Sequence, residues 1–206
     1  MTANPPLHYL ALGDSYTIGE SVPAEARWPA ELVERLRRAG VVIDDPQIVA
    51  VTGWTTDELT QGMDEASLVP AYDLVTLQIG VNNQYRGRSV EDYRGEFTGL
   101  LARAIMLAGN HPERVVVVSI PDWGVTRFAR EQGRDPAAIA AALDAFNALA
   151  SERARSVGAH FVDITPISRR HPELVAADGL HPSAAQYALW VDAILPAVRK
   201  ALARTP

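Results

Sequence analysis

Four short stretches carry side chains of the kinds that acyl transfer uses. "GDS" at 13–15 puts Ser15 just after an apolar run, "TGWTT" at 52–56 contains Gly53, "GVNN" at 80–83 contains Asn82, and "DGLHP" at 178–182 holds Asp178 and His181 three residues apart. A Ser nucleophile needs a base to take its proton, a carboxylate to hold that base in one tautomer, and N–H donors where negative charge develops. Ser15 supplies the nucleophile, His181 the base, Asp178 its orienting carboxylate, Gly53 a backbone donor and Asn82 an amide donor. The spacing of Asp178 and His181 can set both side chains on one face of a turn. Gly179 gives that turn flexibility, and Pro182 keeps it from extending backward as helix.

Histidine provides an internal control. Of the five in the chain, His111, His171 and His181 precede a Pro, but only His181 has an acid three residues earlier, where Ala108 and Ser168 stand for the other two. His8 and His160 fall in apolar strand-like runs, where a structural role is expected. Each candidate also has a plainer reading. Ser15 could cap a short helix, Gly53 could serve a tight turn with positive φ, and Asn82 could form an Asx-turn. Asp14 adjoins Ser15, but adjacent side chains on a strand-end turn diverge, so its expected role is to hold the loop through backbone N–H groups.

The elements that must position these residues follow from the periodicity. "LHYLAL" (7–12), "QIVAV" (47–51), "DLVTLQI" (73–79), "RVVVVSI" (114–120) and "AHFVDI" (159–164) read as five strands, several of them apolar on both faces. Helical stretches are expected at Pro29–Ala39, Thr56–Ala66, Val90–Ala108, Pro136–Val157 and Ser183–Ala203, with Gly40, Gly109 and Gly158 at C′ positions. Such alternation predicts a mostly parallel sheet with helices on both faces, joined by right-handed crossovers. Ligands of open parallel sheets bind beyond the carboxyl ends of the strands, which is where all four stretches fall. The connection at 121–135, "PDWGVTRFAREQGRD", exceeds the usual length of about two to six residues. It is expected either to shape the pocket, with Trp123 and Phe128 among Arg127, Arg130 and Arg134, or to pack as a helical insertion on the sheet edge.

Composition narrows the partners. The 206 residues fit one domain, 1–206, and the net charge of −6 argues against nucleic acid or an anionic membrane as a major partner. The absence of Cys removes thiolate chemistry, disulfides and Cys-bound zinc. No P-loop, dinucleotide fingerprint or HExxH motif is present, so no cofactor and no metal are expected. The first residues lack the pattern of a signal peptide, and no apolar run approaches the ~20 residues of a membrane span, which points to a cytoplasmic protein without membrane insertion.

Taken together, the four stretches resemble the sequence blocks of the GDSL esterase and lipase family, also called SGNH hydrolases. "GDS" is similar to the first block, "TGWTT" to the second, "GVNN" to the third and "DGLH" to the last, spanning residues 13 to 181. The resemblance implies a flavodoxin-like three-layer α/β/α sandwich with strand order 2-1-3-4-5. It also implies a Ser15, His181 and Asp178 triad, with the N–H groups of Ser15 and Gly53 and the Asn82 amide forming an oxyanion hole. The implied activity is hydrolysis of carboxylic esters, short acyl or aryl esters first, through an acyl-enzyme. Carbohydrate O-acetylester, thioester or lysophospholipid cleavage and acyl transfer are alternatives on the same residues. Trp54, Tyr85, Trp123 and Phe128 could line the acyl pocket or simply pack, and Arg86, Arg88 and Arg127 could meet an anionic substrate or lie on the surface. Two positions depart from the family pattern: Asn83 stands where Asp is common, and Ala50, Val51 and Thr52 stand where an Asn often opens the second block.

Overall fold

The computed structural model describes residues 5–69 and 71–203. The opening residues 1–4, on which the expectation of no signal peptide partly rests, lie outside them. Five strands, β1 (Tyr9–Gly13), β2 (Gln47–Ala50), β3 (Leu74–Gln78), β4 (Val115–Val118) and β5 (His160–Val162), pair in parallel in the order β2-β1-β3-β4-β5. β1, β3 and β4 are buried along their whole length. Their near-continuous apolar sequence is what a strand covered on both faces requires.

The helices are α1 (Ser15–Ile18), α2 (Trp28–Arg38), α3 (Thr56–Glu65), α4 (Val81–Tyr85), α5 (Val90–Leu107), α6 (Arg127–Glu131), α7 (Pro136–Ser156), α8 (Thr165–Arg170) and α9 (Ala184–Leu202). α2 packs on α9 in one layer, and α5 lies against both α3 and α7 in the other. Local chemistry sets the starts of the long helices. The Ser89 hydroxyl accepts from Asp92 N–H at 3.1 Å, the Asp135 carboxylate from Ala137 N–H at 2.9 Å, and Glu58 from Thr55 N–H at 2.8 Å. Gly40, Gly109 and Gly158 follow their helices with φ of 85°, 72° and 84°, the left-handed geometry a C′ glycine permits.

The five long helices match the sequence expectation to within a residue or so at each end. The four short ones have too few residues to show a 3.6-residue period. They sit in the connections, and the 121–135 segment is an example: it folds as a 3₁₀ turn at Trp123–Val125 followed by α6.

The strands end level with one another. Gly13 pairs with Ala50 on one side and Gln78 on the other, and Leu77 pairs with Val117 one residue from the ends of their strands. Buried polar side chains stitch this edge together. Trp28 Nε1 donates to Gln78 Oε1 at 3.2 Å, and Gln78 Nε2 donates to the Ser119 carbonyl at 3.1 Å. Asn147 of α7 accepts from Ile120 N–H at 2.8 Å and donates to the Ile120 carbonyl and Thr165 Oγ1, each at 3.0 Å. Asn147→Ala leaves the buried Ile120 N–H without that acceptor, a loss of about 2–3 kcal/mol. Urea unfolding should show a lower midpoint with an unchanged slope.

Candidate active site

Ser15 is placed by a tight return of the chain at the end of β1. A Cβ on Gly13 would lie 2.1 Å from Thr17 Oγ1 and 2.6 Å from the Gln78 carbonyl, so only Gly lets α1 fold back onto the strand ends. Asp14, not Ser15, caps α1: its Oδ1 accepts from Tyr16 N–H at 3.0 Å. Ser15 is therefore free of the capping role and, at 5% exposure, sits at the floor of a depression. Burial pushes the Asp14 carboxyl up to about 7, against the backbone N–H bonds that pull it down.

Gly53 sits in the turn after β2 with φ of 90°. Arg86, at the end of α4, clamps that turn: its Nη2 donates to the Gly53 carbonyl at 2.7 Å and its Nη1 to Glu58 at 3.2 Å. Across the turn, Asn82 Nδ2 donates one proton to the Trp54 carbonyl at 2.9 Å, which anchors the amide while leaving its second N–H available. Gln84 N–H donates to the Gly80 carbonyl at 3.1 Å rather than to the Asn82 side chain, so the Asx-turn reading of Asn82 does not hold. Next to it, the buried Asn83 performs a structural task. Its Oδ1 accepts from Thr56 N–H at the start of α3, and its Nδ2 donates to Thr56 Oγ1 at 2.6 Å and Glu96 at 3.2 Å. A neutral amide can face the Glu96 carboxylate where an Asp would repel it.

Asp178 and His181 occupy a loop closed by a Val175–Pro182 bridge. Asp178 Oδ1 accepts from the N–H groups of Leu180 and His181 at 2.9 and 3.0 Å, and its Oδ2 lies 2.7 Å from His181 Nδ1. The carboxylate thus accepts a hydrogen bond from Nδ1–H, which leaves Nε2 as the basic nitrogen of neutral His181. Burial works to raise the Asp178 pKa, but the hydroxyl of Ser21 at 2.6 Å, the Leu180 N–H and His181 outweigh it and hold the carboxyl at about 2. The His181 imidazole, 13% exposed, packs edge to face with the Tyr16 ring, their centroids 5.9 Å apart. The 121–135 segment supports this loop: Phe128 N–H donates to the Gly179 carbonyl, and Arg127 donates to the Ala177 carbonyl at 2.9 Å.

Ser15, Gly53, Asn82 and His181 line one cavity of about 230 Å³. Tyr85, Trp123 and Phe128 form an aromatic wall, with Tyr85 and Trp123 edge to face at 5.4 Å and Trp123 fixed by its Nε1 bond to Gln84. The 121–135 segment is therefore partly helical and lines the cavity through Trp123 and Phe128. Trp54 does not belong to this wall. Its ring fills the space over Gly62 of α3, where a Cβ would lie 2.1 Å from the indole. Arg86 and Arg88 are ion-paired with Glu58 and Asp57, and Arg127 donates to the Ala177 carbonyl with Glu131 3.7 Å away. Sequence reasoning passed over Ser21 as a partner of Asp178 and Arg86 as the clamp on Gly53, because both contacts join residues distant in the chain. A larger depression, about 340 Å³, opens at the opposite edge of the sheet near Leu7, Asp73 and His111, far from these groups. Among the described residues, no group of three or more His, Asp or Glu side chains could hold a metal, and no helix is long and apolar enough to cross a membrane.

The model of the GDSL-like lipase/acylhydrolase family matches residues 11–189. The chain belongs to this family. Membership makes it a carboxylic ester hydrolase. Solved structures share the fold at low identity. An acetylxylan esterase from Geobacillus stearothermophilus is 18% identical with a TM-score of 0.72, covering 96% of each chain. A phospholipase A1 from Streptomyces albidoflavus is 22% identical with a TM-score of 0.68, over 95% of this chain and 99% of the other. A psychrotrophic esterase from Pseudoalteromonas sp., in a structure inhibited by monoethylphosphonate, is 18% identical with a TM-score of 0.70, over 96% and 99%. No curated protein matches the sequence at a significant level.

The raised pKa of Asp14 has a measurable cost in this hydrolase. The folded state keeps the proton up to about pH 7, whereas the unfolded chain releases it near 3.8. Between those values the native state binds more protons, so stability falls as pH rises and levels off above about 7. Asp14→Asn should remove that slope. Urea midpoints at pH 4, 5.5 and 7 should show the wild type losing ground to the variant by an amount on the order of a few kcal/mol.

Proposed function

We propose that the protein hydrolyses short acyl or aryl esters through an acyl-enzyme on Ser15. The observation that carries this reading is the shared cavity of Ser15 and His181, the latter with its Nδ1 engaged by Asp178 and its Nε2 left as the basic nitrogen. In the reaction, Ser15 Oγ attacks the ester carbonyl while His181 Nε2 takes its proton. Asp178 holds the imidazole and stabilises the cation that forms. The Ser15 and Gly53 N–H groups and the second N–H of Asn82 receive the charge on the former carbonyl oxygen. His181 then protonates the departing alkoxide, and water, deprotonated by the same imidazole, releases the acid. The small cavity and its wall of Tyr85, Trp123 and Phe128 favour a short or planar group. A second reading, an O-acetylester on a carbohydrate, draws on the same wall, since aromatic faces suit sugar rings, and on the acetylxylan esterase that shares the fold.

A nitrophenyl ester series from acetyl to palmitoyl tests the primary reading. Turnover should fall with acyl length and vanish in Ser15→Ala, together with covalent labelling by a phosphonate ester. Asn82→Ala should retain the label but lose roughly a hundredfold to a thousandfold in kcat. Full activity in Asn82→Ala would remove it from the oxyanion hole, and turnover unaffected by Ser15→Ala would sink the acyl-enzyme.

A further inference from the structure

Two described residues other than Gly have positive φ: Asn110, a residue type that tolerates it, and Ser21, at φ of 65°. Ser carries a Cβ and gains nothing from this conformation, which Gly adopts freely. Ser21 lies in the loop that leaves α1, six residues after Ser15. The position places its hydroxyl against the Asp178 carboxylate, with Oγ donating to Oδ2 at 2.6 Å. That oxygen is the one that also faces His181 Nδ1. The neighbouring Glu20 ties the same loop to the Gly53 turn, accepting from the Thr52 hydroxyl at 2.5 Å.

We propose that Ser21 is a positioning residue that locks the plane of the Asp178 carboxylate, so that Oδ2 stays directed at His181. The inference rests on the catalytic reading above. Asp178 has two oxygens with separate tasks. Oδ1 is pinned by the N–H groups of Leu180 and His181 in its own loop, whereas Oδ2, besides meeting the imidazole, is held by Ser21 from the loop that follows Ser15. Without the Ser21 hydroxyl, the carboxylate can rotate about its pinned oxygen. The strained backbone is retained where a hydroxyl reaches this site, an arrangement typical of functional positions. The loop thereby links the nucleophile, the oxyanion turn and the acid through side-chain contacts rather than through the sheet.

Ser21→Gly and Ser21→Ala both delete the donor, and only Gly also frees the loop. The charged and titratable groups around Asp178 are His181 in its own loop, Tyr16 of α1, Tyr187 of α9, Arg127 of α6, and Glu20 beside Ser21; both substitutions leave all of them in place. A carboxylate free to turn Oδ2 away from Nδ1 holds the imidazolium proton less tightly. In both variants, the His181 ring followed by NMR should give up its proton at lower pH, and the acid limb of kcat/KM should move down with it. At neutral pH, kcat should drop roughly tenfold with KM little changed. Ser21→Gly should unfold at no lower temperature than the wild type. A His181 titration identical to wild type in both variants would overturn the proposal, as would a change confined to Ser21→Gly, which would mean loop mobility alone. The ring titration needs no turnover, so it decides the role of Ser21 even if ester cleavage proves independent of Ser15.

Discussion

The in-register parallel pairing of β1 with β2 and β3 is the constraint from which the candidate site follows. Parallel strands must leave a sheet at one edge, and here Gly13, Ala50 and Gln78 end at one level. The next residues of each connection therefore start from a common floor. Ser15, Gly53 and Asn82, far apart in sequence, lie within a few residues of it. A shift of register would separate them even if every local turn were preserved.

The floor alone does not orient the groups. Orientation comes from polar contacts between loops, each of which uses a side chain whose own position is already fixed. Arg86 holds the Gly53 turn, Asn82 reaches the Trp54 carbonyl, and Asn83 binds the start of α3. Ser21 and the α6 segment hold the Asp178–His181 loop from two sides. Arg86 and Arg88 are ion-paired within this scaffolding, and Arg127 holds the Ala177 carbonyl. Buried polar networks of this kind specify a geometry only when their members are satisfied.

Asp14 shows what that geometry costs. A carboxyl is spent on capping a helix of four residues in a buried place, where burial works against its charge. The cap leaves the Ser15 hydroxyl unused at the cavity floor. Asn83 is a contrasting solution nearby: where two acids would oppose each other, a neutral amide supplies both the acceptor for Thr56 N–H and the donor for Glu96.

The alternation of apolar strands and amphipathic helices was legible in the sequence because burial on both faces of a parallel sheet leaves a local pattern, as in Val115–Val118. Glycine positions and the four polar stretches were legible too, since turn geometry and the Asp178–His181 spacing are short-range. The short helices were not, because four to six residues carry no period. Trp54 stayed open between pocket and packing for a related reason: its place in the chain borders the site, but the slot that takes its ring is made by Gly62 on another element. Sequence by itself therefore determined the strands, the long helices and which residue types stand at the strand ends. Only the tertiary structure decided which side chains meet. The contacts of Ser21 with Asp178 and Arg86 with Gly53 depend on strand order and register, which no local stretch encodes.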